Sequence, residues 1–203
     1  MKIGIFGGSF NPVHNGHIHL AKSVCEEFSL DKIYFVPSRI SPHRSSFEYA
    51  SGSDRLEMLR LACSDYVNLS VCDYELSCDR ISYSIYTVEY FRKEFPDAEL
   101  FLLIGSDMLL SFDKWYRYKD ILSVVTLAVV SREKGDYDKL TEKAKSLSEY
   151  GEIFIASAQP LPVSSTEIRK KVAKSDNWTC YLNKNVVQYI RLKGLYCRST
   201  FFE

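Results

Sequence analysis

Two histidines open the case for chemistry in this chain. His14 and His17 lie three residues apart in Gly7-Gly8-Ser9-Phe10-Asn11-Pro12-Val13-His14-Asn15-Gly16-His17. An imidazole N–H can hydrogen-bond a phosphate oxygen without the permanent charge of lysine. Donors of that kind, held in place beforehand, stabilise a transition state that gathers negative charge. A metal site and a plain surface loop are the alternatives. The metal reading is weak, because no carboxylate or cysteine in the loop completes a ligand set. A second group sits far downstream in Pro162-Val163-Ser164-Ser165-Thr166-Glu167-Ile168-Arg169. Ser164 and Glu167 have the spacing of a capping box, which explains those two residues structurally. Arg169 is left over. On a helix it shares a face with Ser165, four residues before it, and with Thr166, three before it, so hydroxyls and guanidinium converge at a helix start. The two groups read as two phosphate cradles separated by most of the chain.

The elements that must position them follow from the hydrophobic pattern. Ile3 to Phe6 is an apolar run that ends in two glycines, and a helical pattern begins at Gly16, giving a strand, a loop and a helix start. Glycines let main-chain N–H groups approach a ligand closely, and a helix start leaves donors pointing outward, so the loop suits polyphosphate. Ile18, Ala21, Val24, Cys25 and Phe28 carry one buried helix face as far as about Phe28. Lys32 to Val36 is a second strand, and a strand, helix, strand unit of this length must be parallel and right-handed. A long polar loop over 37–53 leaves the second strand at its carboxyl end, where ligands of a doubly wound sheet are expected. Ser53 is expected to cap a helix carrying Leu56, Leu59 and Ala62. A short strand over Asn68 to Cys72 follows, then an irregular polar stretch over 73–82. A helix starts near Ser82 to Ser84 and ends before Pro96. Glu99 to Ile104 reads as a central parallel strand buried on both faces, followed by Gly105-Ser106-Asp107. Ser123 to Val130 and Glu152 to Ala156 are the last strands, with an amphipathic helix over Tyr137 to Tyr150 between them. A final helix spans Asn183 to Gly194, and the tail from Tyr196 is expected to fray.

Composition sets the outer limits. At 203 residues one α/β domain covering 1–203 is expected, with a Rossmann-like parallel sheet and helices on both faces. Hydrophobic residues make up 46% and charged residues 26%, as in an ordinary globular protein. Lys plus Arg and Asp plus Glu are both 26, so no global field favours nucleic acid. The six scattered cysteines lack a Cys-x-x-Cys pair and read as reduced, mostly packing residues of a cytoplasmic protein. No leader or membrane-spanning run is visible.

The glycine- and histidine-rich loop resembles the His-x-Gly-His signature of the nucleotidylyltransferase superfamily, and in detail it is similar to the bacterial nicotinate-nucleotide adenylyltransferase family. Pro162 to Arg169 is similar to that superfamily's Ser-x-Thr-x-x-Arg motif. The motif matches run from Gly7 to Arg169, most of the chain. The resemblance implies adenylyl transfer from ATP to nicotinate mononucleotide, giving nicotinate adenine dinucleotide and pyrophosphate. It places ATP on Gly7, Gly8, Ser9, Phe10, His14, Gly16, His17, Gly105, Asp107, Ser165, Thr166 and Arg169, with His14, His17 and Arg169 catalytic. Asp107 matches the residue that contacts the ATP sugar. It places the acceptor on Asn11, His43, Arg44, Ser84, Trp115 and Tyr116. Pro42-His43-Arg44 is similar to the family's Pro-Pro-His-Lys or Arg segment, in which the basic residue reaches substrate phosphate. Ser84 matches the third residue of its Ser-Tyr-Thr helix start, whose main-chain N–H holds the nicotinate carboxylate. Trp115-Tyr116 resembles its Pro-x-Trp-Tyr, in which the indole stacks on the pyridine ring. Magnesium would arrive with ATP, with no protein side chain as ligand.

Two departures stand out. Asn11 replaces the more usual Asp; an amide can still orient phosphate or ribose, so Asn11→Asp is expected to leave turnover within roughly tenfold, about 1.4 kcal/mol in barrier. Arg132-Glu133-Lys134-Gly135 replaces the family's Arg-Pro-Gly, so no adenine contact is assigned to Arg132. Phosphopantetheine adenylyltransferase shares the first signature, but Trp115-Tyr116 and the Ser82-Tyr83-Ser84 start favour a pyridine carboxylate. A non-catalytic nucleotide sensor is the alternative from another class. The sequence leaves homo-oligomerisation open.

Overall fold

Six short apolar runs become six strands, all paired in parallel, in the order β3-β2-β1-β4-β5-β6. The computed structural model describes residues 1–39, 50–130 and 137–197. His43, Arg44, Arg132 and most of the 37–53 loop therefore lie outside the described residues. The strands are β1 (Lys2–Gly8), β2 (Lys32–Pro37), β3 (Leu69–Val71), β4 (Glu99–Gly105), β5 (Thr126–Val130) and β6 (Ile153–Ala156). Nine helices are seen among the described residues: α1 (Asn15–Glu27), α2 (Gly52–Cys63), α3 (Tyr74–Ser77), α4 (Ser84–Glu94), α5 (Ser106–Leu110), α6 (Tyr118–Leu122), α7 (Tyr137–Leu147), α8 (Ser165–Ala173) and α9 (Lys184–Lys193).

The strand residues alternate between two cores, as period-two geometry requires. Phe101, Leu103, Ala128 and Val130 face a core built with α1, α2, α8 and α9. Leu100, Leu102, Ile104, Leu127 and Val129 face the other, built with α4, α5, α6 and α7. Strands covered on both faces read as continuous apolar runs, which is why β4 was legible from its sequence.

Parallel pairing puts every strand's carboxyl end on one edge of the sheet. The strand order reverses direction between β1 and β4, and an open α/β sheet binds ligands in the crevice outside that reversal. The loop after β1, the turn after β4 and the start of α8 after β6 all lie on this edge.

Three local expectations are corrected. The cap of α2 is Ser51, whose hydroxyl accepts the Asp54 N–H at 3.0 Å; Ser53 lies inside the helix. Residues 73–82 contain α3, where an irregular stretch was expected. The tail does not fray at Tyr196, whose hydroxyl donates to Asn11 Oδ1 at 2.7 Å.

Candidate active site

The loop between β1 and α1 is built inward from its glycines. Phe10 adopts a left-handed backbone, φ 44°, and folds its ring back against Gly8, where a Cβ would meet the ring at 2.9 Å. The Phe10 ring is buried among Phe6, Phe35 and His17, the last edge-on at 5.1 Å. Phe10 is thus a wedge beneath the loop that sets where His17 stands.

His14 occupies the N-cap position of α1, and its main-chain N–H donates to His17 Nδ1 at 3.2 Å. In a neutral His17 that contact places the ring proton on Nε2. The two imidazoles stack, with centroids 3.7 Å apart and planes 24° from parallel. Gly16 makes the stack possible: a Cβ there would lie 2.9 Å from Val163 and 3.0 Å from His14 Nδ1. His14 is 93% buried, so its ring is oriented by packing before any ligand arrives.

The second cradle comes to the first. Ser164 caps α8 by accepting the Glu167 N–H at 3.2 Å, the half of the expected capping box that frees Ser165 and Arg169 for other partners. Ser165 donates its hydroxyl to the Pro12 carbonyl at 2.8 Å, and Arg169 donates from Nη1 to the Asn11 carbonyl at 2.8 Å and from Nη2 to Thr166 Oγ1 at 3.4 Å. Two segments some 150 residues apart therefore join through main-chain carbonyls, two and three residues before His14. Asn11 is buried, and its Oδ1 accepts from the Ala50 N–H at 3.1 Å and from the Tyr196 hydroxyl. The side chain expected at the acceptor thus serves protein donors.

Arg55 was missed by the sequence reading. Its buried guanidinium donates to the carbonyls of Ser9 at 2.8 Å, Ser38 at 2.8 Å and Ala50 at 3.3 Å, tying the ends of β1 and β2 to the start of α2. The signal was present: Arg55 precedes Leu59 by four and Ala62 by seven, on the helix's apolar face.

The expected acceptor end is assembled around α4. Its N-cap is Tyr83 in extended conformation with no side-chain cap, and Ser82 instead accepts the Arg39 N–H at 3.0 Å. The N–H of Ser84, first residue of this eleven-residue helix, is among the donors a helix start leaves unsatisfied within the helix, a place that favours a carboxylate. Tyr116 lies against the same helix start, its ring 5.0 Å from that of Tyr83 and 6.2 Å from that of Tyr86. Arg117, in left-handed conformation, pins this segment by ion pairs to Glu89 of α4 at 2.8 Å and to Asp120 at 2.6 Å. Trp115 is half-buried over Phe112, with ring centroids 4.8 Å apart. Of the three residues expected at the acceptor here, Tyr116 thus lies against the helix start that Ser84 opens, and Trp115 precedes it with its ring on Phe112. Gly105 ends β4 as the N-cap of α5, and Asp107 is exposed in its first turn on the carboxyl edge.

Behind α4, Glu75 is buried and accepts the Thr87 hydroxyl at 2.6 Å. Burial pushes its carboxyl above the usual range, against the opposing pull of Thr87, Ser82 and the Arg55 charge. Among the described residues no group of three or more His, Cys, Asp and Glu could hold a metal ion, and no helix is long and apolar enough to cross a membrane.

A parallel sheet with paired imidazoles at its central carboxyl edge, met there by an arginine-bearing helix, is an arrangement suited to binding phosphate. The family model described as cytidylyltransferase-like matches residues 5–171. Named nicotinate-nucleotide adenylyltransferases from Shewanella frigidimarina and Aquifex aeolicus are 32% and 40% identical to the chain. The alignments cover 97% of this chain and 100% of the first relative, and 80% and 98% for the second. The chain belongs to the nicotinate-nucleotide adenylyltransferase family. Among solved structures, the Plasmodium falciparum nicotinic acid mononucleotide adenylyltransferase complexed with NaAD has the same fold, with a TM-score of 0.77 at 18% identity over 96% of this chain and 97% of that one.

Proposed function

We infer that this chain transfers the adenylyl group of ATP to nicotinate mononucleotide, releasing pyrophosphate and forming nicotinate adenine dinucleotide. One observation carries the reading: Arg169 of α8 donates to the loop that holds the stacked imidazoles of His14 and His17, while Tyr116 lies against the start of α4, where Ser84 stands. The whole chain, residues 1–203, is proposed to act as one catalytic domain, supported by the single sheet that all six strands share.

The reaction needs no protein nucleophile. An oxygen of the acceptor's phosphate attacks the α-phosphorus in line; the bond from that phosphorus to the bridging oxygen breaks, and pyrophosphate leaves with the electron pair. The protein contributes position and charge stabilisation. His17 Nε2–H, the His14 ring and the Arg169 guanidinium face the triphosphate, and main-chain N–H groups of the Gly7–Phe10 turn line its path. These groups would serve phosphate oxygens as hydrogen-bond donors; magnesium bound with ATP would be held mainly by the phosphate oxygens and would supply neutralising charge there. At the other end the Ser84 N–H takes the carboxylate and Trp115 stacks on the pyridine ring.

The test is to incubate pure protein with ATP, magnesium and either nicotinate or nicotinamide mononucleotide, and to measure pyrophosphate. Release with the acid is expected. No release with either acceptor would sink the reading in favour of a nucleotide sensor. His14→Ala should lower kcat by about 10² or more with the fold retained, as for any lost transition-state donor.

A further inference from the structure

The last helix among the described residues, α9, ends by turning back toward the site. Gly194 takes a left-handed conformation after α9, the Leu195 N–H bonds to the Ile190 carbonyl at 3.0 Å, and Tyr196 is itself left-handed at φ 63°. A left-handed backbone is uncommon for an aromatic residue, and such an outlier persists where surrounding contacts hold it. The holding contact is the 2.7 Å hydrogen bond from the Tyr196 hydroxyl to Asn11 Oδ1. Burial pushes the phenol far above its ordinary range, so it stays a protonated donor at any working pH.

Asn11 joins four parts of the molecule. Its side chain accepts from Tyr196 and from Ala50 at the entry to α2, its carbonyl accepts Arg169 of α8, and its own main chain runs on to His14. At 1% exposure it offers little room for water to replace a lost partner, so the phenol bond is made where it is strongest. We propose that Tyr196 is a positioning residue for adenylyl transfer: its hydroxyl, acting through Asn11, fixes the main chain that carries His14 and His17. It touches no reacting atom, and the inference rests on the assignment of those imidazoles to catalysis.

The decisive variant is Tyr196→Phe, which keeps the ring and removes the hydroxyl, with Tyr189→Phe as control because that phenol donates to Asp54 and not to Asn11. Assayed well below the melting temperature, Tyr196→Phe should lose roughly tenfold in kcat, inside the ~10² that a 1 Å misplacement can cost. KM for nicotinate mononucleotide should stay within about twofold; partial unfolding would also lower kcat at unchanged KM, so kcat is referred to the folded fraction measured in the same buffer. In an Asn11→Ala background the same change should add nothing. The imidazole proton resonances of His14 and His17 should shift in Tyr196→Phe and stay in place in Tyr189→Phe. Wild-type kcat in Tyr196→Phe, or a loss that adds fully to that of Asn11→Ala, overturns the proposal. Should the wild-type chain make no dinucleotide, the assigned reaction falls, and the resonances alone decide whether Tyr196 sets the imidazoles; unmoved resonances overturn that as well.

Discussion

Replacing Arg55 with Met should cost about 3–5 kcal/mol of stability. The guanidinium makes three hydrogen bonds to main-chain carbonyls, at 2.8, 2.8 and 3.3 Å. A hydrogen bond from a charged donor contributes about 1.5–3 kcal/mol, so the three together amount to roughly 4–9. Ser9, Ser38 and Ala50 are only half-buried, and water reaches some of their carbonyls once the arginine is gone, which brings the cost down to or just below the bottom of that range. The buried Glu75 loses a favourable charge at the same time. For a chain of this size each kcal/mol moves Tm by about 2–4 °C, so a fall on the order of 10 °C is expected. Urea titration with a thermal melt measures both numbers. Arg55→Lys should recover less than half, because one ammonium cannot serve three carbonyls that bond to three different guanidinium nitrogens. A loss under about 1 kcal/mol in Arg55→Met, or full recovery in Arg55→Lys, would refute the reasoning.

Three further predictions concern other parts of the molecule. Gly16→Ala adds a methyl 2.9–3.0 Å from Val163 and the His14 ring; kcat should fall at least tenfold, about 1.4 kcal/mol, while better helix propensity keeps stability within about 2 kcal/mol of the wild type. Unchanged turnover would show that the stacked pair tolerates displacement. Glu75 has a folded pKa raised above its unfolded value, so the native state favours its neutral form and loses that advantage as pH rises through the folded value. Glu75→Gln should therefore gain in Tm over the wild type as pH rises from about 4 to 8; melts showing a constant difference would contradict this. Burial pushes the Cys63 thiol up to about 12 and raises Cys25, whereas Cys180 and Cys197 are exposed. A thiol reagent at neutral pH should label the exposed pair first and Cys63 only on unfolding, as peptide mapping would show.

The parts of the site that could be read in the sequence were those whose spacing carries the geometry. His14, Gly16 and His17 sit within one helical turn, and Ser165, Thr166 and Arg169 on one helix face, so the pattern itself implied convergence. Apolar runs located the strands because a doubly covered parallel sheet has no polar face to interrupt them. What escaped was long-range. Arg55 looks like one solvated charge in a helix until its carbonyl partners, up to 46 residues away, are known. Tyr196 lies 185 residues from Asn11, and an aromatic near a chain end has no periodic neighbour to announce its role. The four-residue α3 and the five-residue α5 and α6 are too short for helical periodicity to register.

β1 is one of the two innermost strands of the sheet, and the loop after it is clamped from far along the sequence, by Arg169 of α8 and by the Tyr196 phenol, 158 and 185 residues from Asn11. Neither clamp exists until the chain has been made as far as these residues, so the loop acquires its supports late. A chain cut before Ser165 would carry both imidazoles without the contacts from Ser165, Arg169 and Tyr196 that hold their loop.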